Sequence, residues 1–104
     1  MTRHAFKMQL KPGVAAEYQK RHDEIWPELA AGLKAAGVSD YSIFLDEATL
    51  TLFAVQKLGE GNTAAALPDL PVVRRWWSYM APLMETHPDH SPVTAPLREV
   101  FHLD

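Results

Sequence analysis

Residues 3–10 alternate, with His4, Phe6, Met8 and Leu10 on one side and Arg3, Ala5, Lys7 and Gln9 on the other. A period of two predicts a strand, and Pro12-Gly13 breaks it. The spacing then changes. Val14, Ile25, Leu29, Leu33 and Ala36 recur at helical intervals from about residue 14 to residue 36, and Gly37 stands where such a helix would end. Pro27 lacks the backbone donor that a helix interior uses, so a kink or restart is expected near Ile25-Trp26. Residues 40–46 alternate again, Tyr41, Ile43 and Leu45 against Ser42, Phe44 and Asp46. A short turn through Glu47-Ala48 leads into residues 49–57, rich in Leu, Thr, Phe and Val, and the two segments predict a hairpin. Residues 58–68 are Gly/Ala-rich with little periodicity; Asn62 is suited to cap a short helical piece that Pro68 stops. Asp69 is a good N-cap and Pro71 suits a first turn, so a second helix is expected from there to about Leu83. Residues 87–96 hold three of the eight prolines and predict an extended loop, followed by a final strand from about Leu97 to Leu103.

The expected order is therefore β-α-β-β-α-β. Right-handed crossovers turn that order into an α+β fold, a ferredoxin-like sandwich with one antiparallel sheet and both helices on one face. One strand face carries Phe44, Phe53 and Val55, the other Phe6, Met8, Ile43, Leu45, Leu50 and Leu52. One set can pack under the helices, and the other is too apolar to stay bare. Burial against a second copy, a homodimer, is the expectation.

Composition narrows the setting. A chain of 104 residues is expected to be one domain spanning 1–104, and its 47% hydrophobic and 22% charged content is that of an ordinary globular protein. The absence of cysteine excludes disulfide frameworks, thiolate zinc sites and cysteine nucleophiles. The formal net charge is −3 and the basic residues are scattered, with no stripe of the kind that nucleic-acid binding needs. No run approaches the roughly 18 apolar residues of a membrane span, and Met1-Thr2-Arg3-His4 leads directly into the alternating segment. The expectation is a cytoplasmic domain with no nucleic-acid and no membrane partner.

Against that background, two polar residues stand out on the first helical stripe. Tyr18 and His22 lie four residues apart, one turn below Trp26, so their side chains share a helix face. An inward polar group left unpaired costs about 1–3 kcal/mol. Either backbone groups satisfy this pair in a core, or the pair lines a pocket where a polar ligand does. A histidine suits acid/base work near neutral pH, and a phenol can hydrogen-bond a hydroxyl. A second candidate is the segment Arg74-Arg75-Trp76-Trp77-Ser78-Tyr79-Met80. Trp76 and Trp77 diverge by about 100° on a helix and share a face only obliquely. With Val72, Val73, Met80 and Met84 they form either a core or dimer band, or an aromatic wall facing Tyr18 and His22. Carbohydrate sites use such walls, because the C–H face of a sugar packs on a flat ring while its hydroxyls reach polar groups. Tyr41 could close the floor of that pocket. His87-Pro88-Asp89-His90 contains metal-ligand residue types, yet no cysteine or fourth ligand accompanies them, and a structural loop with no metal is expected. Asp23, Glu24 and Glu28 on the outer side of the first helix, and Asp46 and Glu47 at the hairpin tip, are expected to be solvated. There is no Gly-rich phosphate loop and no serine elbow, so phosphate cofactors and acyl transfer have no support.

Taken together, the stretch Glu17 to Leu29 (EYQKRHDEIWPEL), Tyr41 before the hairpin, RRWWSYM at 74–80, the PDHSPV loop at 88–93 and the ending LREVFHLD resemble the L-rhamnose mutarotase family. The similarity runs in order along nearly the whole chain. Residues 58–70 are unlike that family, and the loop carries His90 where the family usually has Asn. The resemblance implies a cofactor-independent dimeric α+β barrel that interconverts the α and β anomers of L-rhamnose. It also implies that His22 is the proton donor and that Tyr18, Tyr41, Trp76 and Trp77 contact the sugar. The second acid/base group is left open among a water, His102 and a carboxylate. The same architecture hosts cofactorless monooxygenases and small ligand-binding modules, which are the alternatives.

Overall fold

A computed structural model describes residues 2–104. The first strand, β1 (Thr2–Gln9), ends before the turn at Pro12-Gly13, where Gly13 takes a positive φ of 78°. The long helical stripe forms two helices. α1 (Ala15–Asp23) stops, Trp26 adopts an extended conformation (φ −61°, ψ 129°), and α2 (Pro27–Ala35) begins with the proline at its first position. Pro27 has no N–H to leave unpaired there, which is why the chain restarts at this residue. Gly37 then turns with φ 92°, and a Cβ at that position would sit 2.8 Å from the Asn62 Cβ. That close approach joins the end of α2 to the connection after the hairpin.

The hairpin consists of β2 (Val38–Asp46) and β3 (Thr51–Leu58). Asn62 accepts from the Ala64 N–H ahead of a 3-10 segment, Ala64–Asp69. α3 (Pro71–Met80) follows and tightens into a 3-10 turn at Ala81–Leu83. Its N-cap is Leu70, not Asp69, because Asp69 still belongs to the preceding 3-10 segment. The last strand, β4 (Ala95–Leu97), is three residues long. The expected strand from Leu97 to Leu103 does not form: residues 98–104 have no regular structure, and Val100, Phe101 and Leu103 are largely exposed.

The four strands make one antiparallel sheet in the order β2-β3-β1-β4. Pairing of Met8 with Leu52, Phe6 with Ala54 and Leu45 with Leu52 puts these side chains on one face. There they join Leu29 of α2 and Val72, Val73, Trp76 and Met80 of α3 in a single core. The opposite face carries Ala5, Phe44, Phe53 and Val55. Phe44 pairs with Phe53 and is 62% exposed.

The β2–β3 ladder slips by one residue between Ser39 and Ser42. Val38 and Tyr41 differ in parity, and the extra residue lets Val38, Tyr41, Ile43 and Leu45 all face the helices. Asp40 within this bulge has φ 47°, a left-handed conformation that an aspartate tolerates better than most residues.

Candidate active site

Between the helices and the inner sheet face lies an open cleft of about 1250 Å³. It is lined from α1 by Tyr18, His22 and the rim residue Asp23, and from α3 by Trp76 and Trp77. The sheet contributes Tyr41, Gln56 and His4, and the loop after α3 contributes His90. The five residues singled out in the sequence therefore all border one space. Tyr18 and Trp76 are each 8% exposed, and His22 and Trp77 are half-buried.

The packing of the helices fixes their relative positions. The Tyr18 and His22 rings stack at 4.4 Å as their four-residue spacing on α1 requires. His22 meets Trp76 edge-on at 5.4 Å, and Trp26, in the break between α1 and α2, backs Trp76 from behind at 5.1 Å. Arg21 ties α1 to α3: its guanidinium lies 4.2 Å from the Tyr79 ring centroid and donates to the Tyr79 carbonyl and to Glu17. Glu28 of α2 reaches Arg75 of α3 at 3.3 Å. These exposed contacts contribute little individually, being screened by solvent. They hold the indole and the imidazole facing each other.

The hydrogen bonds separate the part of this lining that the fold satisfies from the part it does not. His22 Nδ1–H donates to the Tyr18 carbonyl at 3.0 Å. That bond sets the tautomer and leaves Nε2 with its lone pair in the neutral ring. Burial pushes the His22 pKa below its ordinary value, and the Tyr18 carbonyl and Asp23 offset only part of that effect. The neutral base is thus the resting form near neutral pH. Burial, with a smaller contribution from charge on Tyr41, holds the Tyr18 hydroxyl above the usual phenol range. Tyr41 keeps 38% of its surface accessible, yet the atoms crowded around it desolvate its hydroxyl, which is pushed up to about 12. The crowding decides the direction, so both phenols stay protonated through neutral pH. The Tyr18 and Tyr41 hydroxyls and the Trp76 and Trp77 N–H groups make no hydrogen bond within the described chain. No side-chain nitrogen or oxygen among the described residues is both sealed from solvent and unpaired. The unpaired tips of Tyr18, Trp76 and Trp77 are thus not sealed from solvent, Tyr41 is itself exposed, and all four residues border the cleft.

Other sequence candidates fall elsewhere. His102 lies in the C-terminal tail, 2.7 Å from Asp104, and does not line the cleft. His90 bonds Ser78 Oγ through Nδ1 at 3.0 Å, Asp89 accepts from Ser91, and no group of three potential metal ligands forms among the described residues. Asp23, expected on the outer side, is exposed but stands at the cleft rim. Gln56 and His4 are among the lining residues that the sequence does not mark as site candidates. Alternation puts Gln56 on the face of Leu52 and Ala54, but its partner, His4, is revealed only by the cross-strand register.

Aromatic walls with unspent hydroxyl and indole donors around a base define a site for a small molecule with apolar faces and several hydroxyls, the class to which sugars belong. The comparisons agree with that class. The family model for L-rhamnose mutarotase matches residues 3–103. An L-rhamnose mutarotase from Acidiphilium cryptum (strain JF-5) is 61% identical over 95% of both chains, and one from Jannaschia sp. (strain CCS1) is 59% identical over 99% of both. The crystal structure of L-rhamnose mutarotase from Formosa agariphila superposes with a TM-score of 0.93 at 48% identity, covering both chains fully. The chain belongs to the L-rhamnose mutarotase family, a family of isomerases.

The depressed pKa of His22 has a direct readout. Its ring, followed by NMR through a pH titration, is expected to protonate with a midpoint below about 6.5, the ordinary histidine value. Loss of the Nε2 lone pair should then occur only on the acid side of that value. A midpoint at or above it would contradict the burial of the ring. The same shift makes the native state gain stability as pH rises towards about 6.5 and lose it as pH falls through the lowered value, because the unfolded chain binds more protons in between.

Proposed function

We propose that the cleft binds L-rhamnose and interconverts its α and β anomers by acid/base ring opening and closure. The observation that carries this reading is the family match over residues 3–103. The geometry supplies the chemistry. His22 Nε2, bare in the neutral ring, accepts the proton of the anomeric hydroxyl. The electron pair left on that oxygen forms the C1 carbonyl, the bond from C1 to the ring oxygen breaks, and the ring oxygen takes up a proton. Rotation about C1–C2 presents the other carbonyl face. The reverse proton movements then close the ring as the opposite anomer. His22 acts first as acceptor and then, once charged, as the donor to the ring oxygen, so no net proton is consumed. The sequence of steps involves no change of oxidation state and no covalent adduct, so it needs no cofactor or metal.

Trp76 and Trp77 offer flat faces to the C–H side of the ring and to the 6-deoxy carbon. Tyr18 and Tyr41, protonated at neutral pH, donate to hydroxyls. Neither the monooxygenase nor the plain binding-module alternative gains an observation in its favour, since the similar proteins are named mutarotases.

The whole chain acts as one domain of ferredoxin-like topology in this reading, and two copies form a dimeric α+β barrel. The apolar outer face of the sheet supports the pairing: Phe44, Phe53, Val55 and Ala5 lie together there, and Phe44 is 62% exposed. Covering that face with a second copy removes apolar surface from water at about 25 cal/mol per Å². In this reading the enzyme is cytoplasmic, with neither nucleic-acid nor membrane partners; its net charge is −3, and among the described residues no helix is long and apolar enough to cross a membrane.

Two experiments test this. NMR saturation transfer between the α and β anomeric protons of L-rhamnose should rise with added protein, and His22→Ala should lower the protein-dependent exchange by about 10²–10⁴-fold, the usual contribution of positioned acid/base groups. Exchange no faster than in buffer, or unaffected by the substitution, would sink the reading. Separately, Phe53→Asp should shift the sedimentation of the purified protein from dimer to monomer, and a variant that still sediments as a dimer would put the interface elsewhere.

A further inference from the structure

The cleft floor carries a polar row, and the mechanism uses only one of its members, Tyr41. In the β1–β3 register His4 stands directly opposite Gln56. In the β2–β3 ladder the bulge between Ser39 and Ser42 sets Asp40 and Tyr41 across from the same glutamine, because Ser39 pairs with Lys57 and Ser42 with Val55. Tyr41, Gln56 and His4 thus run side by side across three strands, and all three border the cleft. Bulges commonly re-aim a side chain beside a site, and this one brings Tyr41 level with Gln56.

Gln56 is the one buried amide or charged side chain among the described residues, at 7% exposure. Its neighbours on the same face of β3 are Leu52 and Ala54, so an aliphatic residue would suit the floor better on packing alone. A glutamine amide offers two N–H donors and two acceptor positions. One donor is spent: Nε2 donates to His4 Nδ1 at 2.8 Å, and His4 is steadied in turn by the Phe6 ring at 5.2 Å. The carbonyl oxygen and the second N–H have no partner in the described chain. The carbonyl oxygen is not sealed off, because no unpaired side-chain nitrogen or oxygen of the non-exposed described residues is shut away from solvent. Gln56 borders the cleft, so that oxygen, with the second N–H beside it on the amide edge, is the part of the side chain left for a ligand.

We infer that Gln56 is a specificity-determining residue for the sugar, holding two vicinal hydroxyls with its free N–H and carbonyl, and that His4 positions the amide by occupying its other N–H. This deepens the mutarotase reading and rests on it. An amide edge presents one donor beside one acceptor, and two adjacent hydroxyls present the complement. A site built to hydrogen-bond a hydroxyl rejects an analogue lacking it far more strongly than an apolar wall does, since its own polar groups are then left unpaired. The tryptophans select for an apolar face, and Gln56 adds selection for the hydroxyl pattern.

The test compares wild type and Gln56→Leu on L-rhamnose and on its 2-, 3- and 4-deoxy analogues by anomeric saturation transfer. Gln56→Leu should raise KM for L-rhamnose about tenfold or more and lower kcat by a smaller factor. It should make a smaller difference on the two analogues that each lack one of the vicinal hydroxyls Gln56 contacts than on L-rhamnose and the third analogue. His4→Phe, which leaves the amide in place but frees its orientation, should raise KM by a smaller factor than Gln56→Leu. A uniform loss on all four sugars, or no change on any, overturns the inference. If the leucine variant does not fold, Gln56→Met supplies the same comparison. Wild-type protein that fails to exchange L-rhamnose overturns the mutarotase reading and this one with it, whereas active wild type with an indifferent Gln56 overturns this one alone.

Discussion

The hydrogen bond from His22 Nδ1 to the Tyr18 carbonyl is the constraint on which the site turns. It spans one turn of α1, so the helix that carries both residues also sets the imidazole tautomer. With Nδ1 committed to the backbone, the only basic nitrogen left is Nε2. Burial then keeps that nitrogen unprotonated near neutral pH. Much of the surrounding structure serves to keep this short helix in register with its neighbours. Pro27 ends the run so that Trp26 can turn in behind Trp76, and Arg21 grips Tyr79 from the opposite side. The result is an aromatic wall whose distance from the base is fixed by side chains on three helices.

The sheet supplies the remaining polar groups by a different route. Strict alternation would send Val38 and Tyr41 to opposite faces. The bulge at Asp40–Tyr41 abolishes that conflict and lets one strand contribute both a buried valine to the core and a phenol to the cleft. The left-handed conformation of Asp40 is the local strain of this arrangement, on the order of 1 kcal/mol. A phenol placed in this way stays protonated far above neutral pH, so it remains a donor where the neutral His22 Nε2 is an acceptor.

What could be read from the sequence follows the range of the forces involved. The stripe holding Tyr18 and His22 and the restart at Pro27 depend on residues within one or two turns, and both stand where the pattern puts them. Asn62 does accept from the Ala64 N–H, but the N-cap of that 3-10 segment is Thr63, and the segment runs through Pro68 to Asp69. The expected C-terminal strand failed for the opposite reason. Residues 97–103 favour an extended conformation, but β4 stops after pairing Leu97 with Ala5, and Val100, Phe101 and Leu103 project from the chain without a partner strand. Propensity describes a segment and pairing describes two, so a strand without a neighbour cannot be told from one with a neighbour. The pairing of Gln56 was hidden likewise: its face follows from alternation with Leu52 and Ala54, but its bond to His4 joins residues 52 apart. Asp69 was misjudged because a good capping residue can equally end a preceding 3-10 segment.

The central claim is that the polar tips left unpaired by the fold, on Tyr18, Tyr41, Trp76, Trp77 and His22 Nε2, are the groups that a pyranose satisfies. A crystal structure of the protein soaked with L-rhamnose tests it most directly. The account requires the sugar in the cleft, its anomeric oxygen within hydrogen-bond distance of His22 Nε2 and its apolar face on an indole ring. A sugar bound with C1 turned away from His22, or bound outside the cleft by a protein that still exchanges anomers, would contradict it.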